Sequence, residues 1–320
     1  MNNNNAHLTR KSFLTLCGAS ILSACSRQQD LMLIKESAES LFPPLGKVEK
    51  IDDLDFHSFE LGNGSTSAIF IHGANINLQD WVLANSPLTK NTYKSIYIDR
   101  PGFGYSQRNR TSWTAKKQAM QIRNFAKKHN IKKPILVGHS WGSIVALEWA
   151  SEYPDELLGI VSVSGVNMPY SNLAKWLAQV GILEPTVKIY SRSFNETRFN
   201  DLVERFSQSV FAPQSVPRDY LQKVGVELSR RKFTIEANSE DLAQTAIALS
   251  GLAKNYYTLT LPIEVIHGEE DFLVPASLHA YGFVKALPNS RLTILKGVGH
   301  MAHHANPYSI RKAIGRIMNV

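Results

Sequence analysis

Gly138-His139-Ser140-Trp141-Gly142 links a short apolar run to a segment with the pattern of a helix. The run before it, Pro134-Ile135-Leu136-Val137, is typical of a buried parallel strand, because it is apolar and bounded by Pro and Gly. In residues 143–153, apolar side chains recur near helical spacing. A strand, G-x-S-x-G and a helix in this order predict a sharp turn that projects the Ser140 hydroxyl above the sheet, with glycines that avoid Cβ clashes.

Segments with strand character alternate with segments of helix character on both sides of this turn. Strands are predicted at residues 48–51, 54–59, 68–71, 95–98, 158–163, 262–266 and 291–295, and helices at 113–129, 276–287 and from 307 to the end. Asn63-Gly64 predicts a hairpin turn. The alternation predicts an α/β fold with a mostly parallel central sheet and helices on both faces.

Residues 167–254 break this alternation, because the interval contains no good strand. Phe199, Leu202, Val203 and Phe206 have helical spacing instead. An insertion at this point falls above the strand ends, where Ser140 is exposed. We therefore predict a helical cap at 167–254, inserted into an α/β core formed by residues 46–166 and 255–320.

The N-terminal segment is predicted to be a targeting signal rather than part of the fold. Arg10 and Lys11 precede an apolar stretch at 13–22 that is too short to span a bilayer as a permanent helix. The stretch ends in Leu22-Ser23-Ala24-Cys25, which resembles the lipobox of a bacterial lipoprotein signal peptide. That resemblance implies a signal peptide at residues 1–24, acylation of Cys25, for example with palmitate, and a tether at 25–45. An ordinary secretory peptide cut nearby is the alternative.

The cysteine content fits lipidation. Cys17 would leave with the signal peptide and Cys25 would carry the acyl chains, so the mature domain has no cysteine for a disulfide or a metal cluster. Ser26 after the cysteine resembles the sorting pattern for the outer membrane. It implies a lipoprotein of the cell envelope on the periplasmic face, in the outer membrane rather than the inner one.

The net charge of +8 is spread over small basic groups such as Lys127-Lys128 and Lys132-Lys133. These groups lack the interleaved aromatic residues of a nucleic-acid groove, which favours a solvated face over a nucleic-acid surface. The expected partners are therefore a small-molecule substrate and, through the lipid on Cys25, a membrane.

A serine hydroxyl becomes a nucleophile when an oriented base removes its proton. His300 is the predicted base, because it ends the flexible run Gly297-Val298-Gly299 after the last strand. Asp271 is the predicted orienting acid, because its distance along the chain from strand 262–266 and the Val-Pro that follows match the turn that usually carries such an acid. Its neighbours Glu269 and Glu270 are predicted to be solvated, and His303 and His304 to have packing or surface roles.

An oxyanion formed at this site needs two backbone donors. The Trp141 amide is one, because it begins the helix after the serine. The loop after strand 68–71 should provide the other, from the amide of Ala74 or, as the alternative, of Asn75. His72 is predicted to hold that loop by a hydrogen bond.

Five motifs together resemble the α/β-hydrolase fold superfamily over residues 45–320. They are HG at 72–73, DRPGFGYS at 99–106, GHSWG at 138–142, HGEED at 267–271 and GVGH at 297–300. The resemblance implies a Ser140, Asp271, His300 triad acting on carboxylic esters through an acyl-enzyme, without a metal or organic cofactor. Segment 99–106 is interpreted as a loop that shapes the site. The serine departs from haloalkane dehalogenases and epoxide hydrolases, which carry Asp at that position.

Three other functions are weighed against ester hydrolysis. Ser140-Trp141-Gly142-Ser143 also resembles proline iminopeptidases, whose chemistry needs cap carboxylates such as Asp201 and Glu204. Arg198 and Arg205 lie at ion-pair spacing from Asp201, which favours a charged surface instead. Carbon–carbon bond hydrolases also keep the serine. A non-catalytic binding lipoprotein is disfavoured, because a binding module does not need all three triad groups.

Overall fold

A single eight-stranded sheet is the centre of the computed structural model, which describes residues 38–85, 92–170 and 196–319. Its strands are β1 (Lys47–Ile51), β2 (Leu54–Leu61), β3 (Ser67–Ile71), β4 (Lys94–Ile98), β5 (Ile135–His139), β6 (Gly159–Val163), β7 (Ile263–Gly268) and β8 (Ser290–Leu295). They lie in the order β1-β2-β4-β3-β5-β6-β7-β8. The β1–β2 and β2–β4 pairs are antiparallel and the other pairs are parallel.

From β3 onward, helices follow each strand in the described residues. They are α1 (Gln79–Asn85), α2 (Ala115–Lys128), α3 (Gly142–Glu152), α4 (Glu196–Phe211), α5 (Tyr220–Lys223), α6 (Lys232–Ala253), α7 (Phe283–Ala286), α8 (Ala302–Ala305) and α9 (Pro307–Met318). The helix predicted at 276–287 begins with a wider π-helical turn, Ser277–Gly282, and continues as α7. The predicted α/β class with a mostly parallel sheet is confirmed.

The two faces of the sheet contribute to separate apolar clusters, because successive side chains of a strand point to opposite faces. On β3, Ile69 and Ile71 join the cluster that contains residues of α2, α3 and α6. Ala68 and Phe70 join the cluster that contains residues of α1 and α9. Burial of both faces explains why the central strands are apolar throughout rather than alternating.

The prediction of a hairpin at Asn63-Gly64 is wrong. β4 lies between β2 and β3, so the strands on either side of this turn are not neighbours. Gly64 is required for another reason, since a Cβ there would lie 2.4 Å from the Tyr93 Cα. The hairpin is the one before it, between β1 and β2, where Asp52 and Asp53 have φ of 49° and 64°. Positive φ at both positions is what a two-residue hairpin turn of this hand requires.

The described part of the interval between β6 and β7 contains helices and turns and no strand. α4, α5 and α6 all lie between these two adjacent strands, which places them as an insertion into the sheet's connectivity. The part of the predicted cap at 171–195 lies outside the described residues, and the boundaries 167 and 254 stay predictions.

The N-terminal predictions concern residues for which little is described. The chain divides into two units, Met1–Pro43 and Pro44–Val320, and the sheet belongs to the second. The predicted signal peptide and most of the tether lie outside the described residues, which begin at 38. Within the described part of the chain, no helix combines the length and the apolar character needed to cross a membrane.

Glu148 on α3 is a half-buried carboxyl whose ionisation costs stability. Burial raises its pKa from 4.5 to about 7, with repulsion from Glu152 acting in the same direction and Lys116 opposing. Below the ordinary pKa of 4.5 the side chain is protonated in both folded and unfolded states, so it has no effect. As the pH rises through the interval from 4.5 to about 7, the unfolded state ionises first, and the folded state is penalised.

Glu148→Gln should therefore stabilise the protein at alkaline pH. We expect the free energy of unfolding to rise by about 1–2 kcal/mol at pH 8 and to be almost unchanged at pH 4, because the amide carries no charge to desolvate. Urea unfolding at the two pH values measures this difference. Glu152→Gln is the matched control, because its carboxylate is 38% exposed and pairs with Lys116 at 2.8 Å. An equal effect of Glu148→Gln at both pH values would contradict the assignment.

Candidate active site

The turn between β5 and α3 holds Ser140 in a left-handed backbone conformation, with φ of 52°. Its amide donates to the Val163 carbonyl at 3.0 Å, and its carbonyl accepts from the amides of Ser143 and Val166, both at 3.1 Å. A non-glycine residue in this region costs of the order of 1 kcal/mol and persists where its surroundings fix it. These three hydrogen bonds fix the turn and leave the Ser140 side chain projecting from it.

The two glycines of the motif are required by close backbone contacts. A Cβ at Gly142 would lie 2.4 Å from the Ile71 carbonyl oxygen, and one at Gly138 would lie 2.7 Å from the Ser143 Cα. Both distances are shorter than real Cβ contacts allow. The G-x-S-x-G pattern therefore reflects the tight approach of β3, β5 and the first turn of α3.

Ser140, His300 and Asp271 form a continuous hydrogen-bonded chain. His300 Nε2 lies 3.1 Å from Ser140 Oγ. Its Nδ1 donates to Asp271 Oδ2 at 2.8 Å. The structure therefore brings together all three residues that the sequence predicted as nucleophile, base and acid, although 160 positions separate the serine from the histidine. This geometry allows a proton to move from the serine hydroxyl to an imidazole held by a carboxylate.

Asp271 is buried and fully engaged, whereas Glu269 and Glu270 beside it are exposed. Its Oδ1 accepts from the Val274 amide at 2.8 Å, and His267 Nε2 lies 3.3 Å from its Oδ2. Burial opposes ionisation of this carboxyl. The charge of His300 and hydrogen bonds from His267 and His300 outweigh it and hold the Asp271 pKa well below its usual range. Asp271 is thus an anion at neutral pH.

Two residues that sequence reasoning missed hold the His300 loop. Gln214, in the insertion between β6 and β7, donates its Nε2 to the Gly297 carbonyl at 2.6 Å and accepts the Gly299 amide at 3.1 Å. His139, from the motif itself, places its Nε2 3.3 Å from the His300 carbonyl oxygen. The position of the imidazole is therefore set from both the cap and the β5 turn.

His303 and His304 form a hydrogen-bonded cluster around Asp80 of α1. Both histidines donate through Nε2 to Asp80 at 2.8 Å, and the Tyr220 hydroxyl donates to it at the same distance. Burial opposes ionisation of Asp80, but the two histidines keep its pKa well below the usual range. The predicted packing role thus takes the form of a buried polar network that anchors the start of α8.

Two residues of this cluster and the neighbouring His139 have side-chain atoms of the kinds that bind metal ions. Of the described residues, Asp80, His139 and His303 bring one potential ligand atom each within 4.8 Å of one another. Both oxygens of Asp80 already accept hydrogen bonds from protein donors. The contacts of Asp80 in the described residues are therefore those of a hydrogen-bond network.

The loop after β3 carries the predicted second oxyanion donor, Ala74. Asn75, the alternative donor, has φ of 54°, and its amide donates to Asn238 Oδ1 at 2.8 Å, so this N–H is already engaged. His72 donates its Nδ1 proton to the Gly73 carbonyl at 2.9 Å. The Ala74 and Trp141 amides thus stay the predicted pair.

Segment 99–106 holds this loop through hydrogen bonds to His72 and Gly73. His72 Nε2 accepts the Arg100 amide at 3.0 Å, and the Arg100 guanidinium donates to the His72 and Gly73 carbonyls at 3.0 and 2.8 Å. Burial and the Arg100 charge lower the pKa of His72 to about 3, so the ring is neutral and its acceptor nitrogen is preserved. Asp99 closes the segment by accepting the Leu78 and Tyr105 amides, both at 2.8 Å.

The chain is also similar to known proteins. Residues 69–307 match the family model of the alpha/beta hydrolase fold. The chain belongs to this family. As an α/β-hydrolase, it has the order Ser140, Asp271, His300 along the sequence that the fold's usual topology produces.

Individual relatives of this α/β-hydrolase are distant in sequence. A 2-hydroxy-6-oxononadienedioate/2-hydroxy-6-oxononatrienedioate hydrolase from Pseudomonas sp. is 24% identical, over 79% of this chain and 88% of that protein. A monoacylglycerol lipase from Bos taurus is also 24% identical, over 78% of this chain and 74% of that protein. A meta-cleavage product hydrolase from Pseudomonas fluorescens IP01 superposes with a TM-score of 0.70 at 17% identity, covering 86% of this chain and 98% of that one. Membership of the family and these relatives indicate a hydrolase enzyme.

Proposed function

We propose that this α/β-hydrolase cleaves carboxylic esters through an acyl-enzyme formed on Ser140. The observation that carries the proposal is the unbroken chain of hydrogen bonds from Ser140 Oγ through His300 to Asp271, at 3.1 and 2.8 Å. A serine on a projecting turn, next to an imidazole that is itself oriented by an anion, is the arrangement that nucleophilic acyl transfer requires.

In acylation, Ser140 Oγ attacks the ester carbonyl carbon while its proton passes to His300 Nε2. The carbonyl oxygen becomes an oxyanion that accepts hydrogen bonds from the amides of Trp141 and Ala74. The bond to the alcohol oxygen then breaks, and His300 donates the proton to that oxygen. The alcohol leaves and the acyl group stays on Ser140.

In deacylation, water takes the place of the alcohol. His300 removes a proton from the water as its oxygen attacks the acyl carbon, and the same two amides stabilise the second oxyanion. The bond to Ser140 Oγ breaks, and the proton on His300 returns to that oxygen. Asp271 stabilises the imidazolium in both halves without itself becoming protonated.

The aminopeptidase alternative lacks support from the cap. Asp201 and Glu204 of α4 are both exposed. Glu204 lines a cavity of about 610 Å³ with Gln214 and Tyr220, but the triad residues are not among the described residues that line it. The described contacts thus do not place either carboxylate beside Ser140. The monoacylglycerol lipase among the relatives supports an ester substrate instead.

Substrate profiling tests the reaction class. Purified protein truncated before residue 26 should hydrolyse p-nitrophenyl esters, with a preference along a series of acyl lengths. It should cleave proline p-nitroanilide at least about a hundredfold more slowly, since neither Asp201 nor Glu204 contacts the triad residues in the described part of the chain. A 2-hydroxy-6-oxo-dienoate serves as the third substrate class, because one relative is named as a hydrolase of 2-hydroxy-6-oxononadienedioate and 2-hydroxy-6-oxononatrienedioate. Faster turnover of the anilide or the dienoate than of every ester would show that the substrate class is wrong.

We also propose that Cys25 carries the acyl chains of a lipoprotein and holds the enzyme at the periplasmic face of the outer membrane. The support is the order of basic, apolar and Leu22-Ser23-Ala24-Cys25 segments, with Ser26 following. Two or more acyl chains bind a membrane firmly, whereas one binds only reversibly.

Cys25→Ser should release the protein from the membrane fraction, because serine cannot accept the thioether-linked lipid. Fractionation of cells that express the parent and the variant measures this change. Cys17→Ser is the matched control and should leave the distribution unaltered, since that residue leaves with the signal peptide. A Cys25→Ser variant as membrane-bound as the parent would refute lipid anchoring at this position.

A further inference from the structure

Helix α6 of the cap contacts the two loops that carry the proposed oxyanion donors. Asn238 Oδ1 accepts the Asn75 amide at 2.8 Å, next to the Ala74 donor. Thr245 Oγ1 accepts a hydrogen bond at 3.0 Å from the indole N–H of Trp141, whose backbone amide is the other proposed donor. Both α6 side chains are buried, with 5% and 1% exposed. One helix therefore reaches both sides of the oxyanion hole.

Asp241 lies between these two residues on the same face of α6, since positions three and seven apart stack on a helix. Its Oδ2 accepts from Arg100 Nη1 at 2.5 Å, and its Oδ1 accepts from Arg108 at 3.0 Å and Gln118 at 2.7 Å. The other nitrogens of Arg100 hold the two carbonyls before Ala74.

Arg100 also connects the two sides directly. Its guanidinium carbon lies 4.6 Å from the centre of the Trp141 ring, and no part of the side chain is exposed. Asn238, Asp241 and Thr245, which we call the polar row of α6, thus contact both donor-bearing loops, directly or through this arginine.

We propose that the polar row of α6 consists of positioning residues that set the distance between the Ala74 and Trp141 amides, so that the cap controls oxyanion stabilisation. The inference rests on the proposed acyl-transfer function. Oxyanion donors act only when they lie within about 2.7–3.1 Å of the position that the developing charge will occupy. A loop displaced by a fraction of an ångström on either side therefore lowers the rate without removing any reacting group.

The triad is held by different contacts, which makes the effect separable. His300 is positioned by Asp271, by His139 and by the clamp of Gln214 on its loop. None of these contacts involves the polar row. Loss of a polar-row hydrogen bond should therefore affect stabilisation of the oxyanion while the proton transfer between Ser140 and His300 keeps its pH dependence.

Two pairs of variants test this inference. Thr245→Val removes the acceptor for the Trp141 indole and keeps the shape, whereas Thr245→Ser keeps the hydroxyl. Asn238→Leu removes the acceptor for the Asn75 amide, whereas Asn238→Asp keeps an oxygen there. Asp241 is left intact, because removing one partner of a buried ion pair destabilises a protein strongly. Ser239→Ala on the same helix is the control, since its buried hydroxyl has no hydrogen-bond partner among the described residues.

The measurements are kcat and KM for a p-nitrophenyl ester, the inhibition constant of a trifluoromethyl ketone, and the pH profile. The ketone forms a tetrahedral adduct with an oxyanion on the serine. Thr245→Val and Asn238→Leu should each lower kcat about tenfold and weaken the ketone by the same factor, less than the 10²–10³ seen for loss of a whole donor. KM and the pH profile should stay unchanged. Thr245→Ser should retain activity within about threefold, and Asn238→Asp, whose added charge opposes formation of the oxyanion, should still retain more activity than Asn238→Leu.

The outcomes separate the two proposals. If the wild type hydrolyses the ester but Thr245→Val and Asn238→Leu match Ser239→Ala in kcat and ketone affinity, the positioning role is wrong. A variant that loses activity because it unfolds will show a lower melting temperature. In that case, higher kcat and ketone affinity in Thr245→Ser or Asn238→Asp than in the matching apolar variant still support the positioning role. A wild type inert towards both the ester and the ketone refutes the proposed acyl transfer, and this inference falls with it.

Discussion

Replacing Ser140 by alanine should lower kcat for ester hydrolysis by about 10⁶-fold, the scale seen when the nucleophile of a serine triad is removed. Alanine has no oxygen to attack the carbonyl and cannot form the acyl-enzyme. The remaining turnover would come from binding and from the oxyanion amides alone. Steady-state rates on the best p-nitrophenyl ester, with active-site labelling by a fluorophosphonate, measure both the loss and the site of the covalent bond.

Ser143→Ala is the matched control within the same turn. Its hydroxyl donates to the Gly138 carbonyl at 2.8 Å and is fully buried, so the variant should lose about 1 kcal/mol of stability. It should still be labelled by the fluorophosphonate and keep most of its activity. Retention of more than about a hundredth of the parental kcat in Ser140→Ala would mean that another group is the nucleophile.

The convergence of Ser140, Asp271 and His300 could be predicted from sequence because these residues follow strands of one parallel sheet. Ser140 follows β5, Asp271 follows β7, and His300 follows β8. The carboxyl ends of parallel strands lie at one edge of a sheet, so residues that follow such strands converge there. Local patterns sufficed to place each strand, and the chain order then fixed which residues could meet.

The contacts from the cap could not be predicted in this way. Gln214, Asn238 and Thr245 meet partners 85, 163 and 104 positions away, across helices whose relative placement depends on side-chain packing. Polar residues on an amphipathic helix look the same in sequence whether they face solvent or a buried partner. The signal that could have identified Asn238 and Thr245 is their shared face with Asp241 on α6, a helix that sequence reasoning located only as part of a cap.

The incorrect hairpin prediction shows what the residue types of a turn cannot determine. Asn63-Gly64 has the residue types of a tight turn, but a turn's composition does not state which strands pair across it. The insertion of β4 between β2 and β3 is a property of the whole sheet. The Asp52-Asp53 turn forms the true hairpin with less favoured residues, because β1 and β2 pair over five positions.

Asp271→Asn should lower kcat by about 10⁴-fold, as when a triad aspartate is replaced by its amide. Asp271 Oδ2 accepts the His300 Nδ1 proton at 2.8 Å, and an amide nitrogen in that place would favour the tautomer with its proton on Nε2. That tautomer cannot accept the Ser140 proton. The variant also lacks the negative charge that stabilises the imidazolium. Steady-state kinetics on the same ester, with KM expected to change little, measure the effect.

Glu270→Gln is the matched control, because this carboxylate is one position away, exposed, and outside the hydrogen-bonded chain. We expect less than a twofold change in kcat, since an exposed charge is screened by solvent. Both substitutions alter atoms on the loop after β7 and leave the apolar clusters intact, so both proteins should be folded at the assay temperature. Melting curves establish this before rates are compared. Burial and contact with His300 distinguish Asp271 from its neighbours. An inactive Glu270→Gln variant together with a nearly normal Asp271→Asn variant would show that the acid is assigned to the wrong residue.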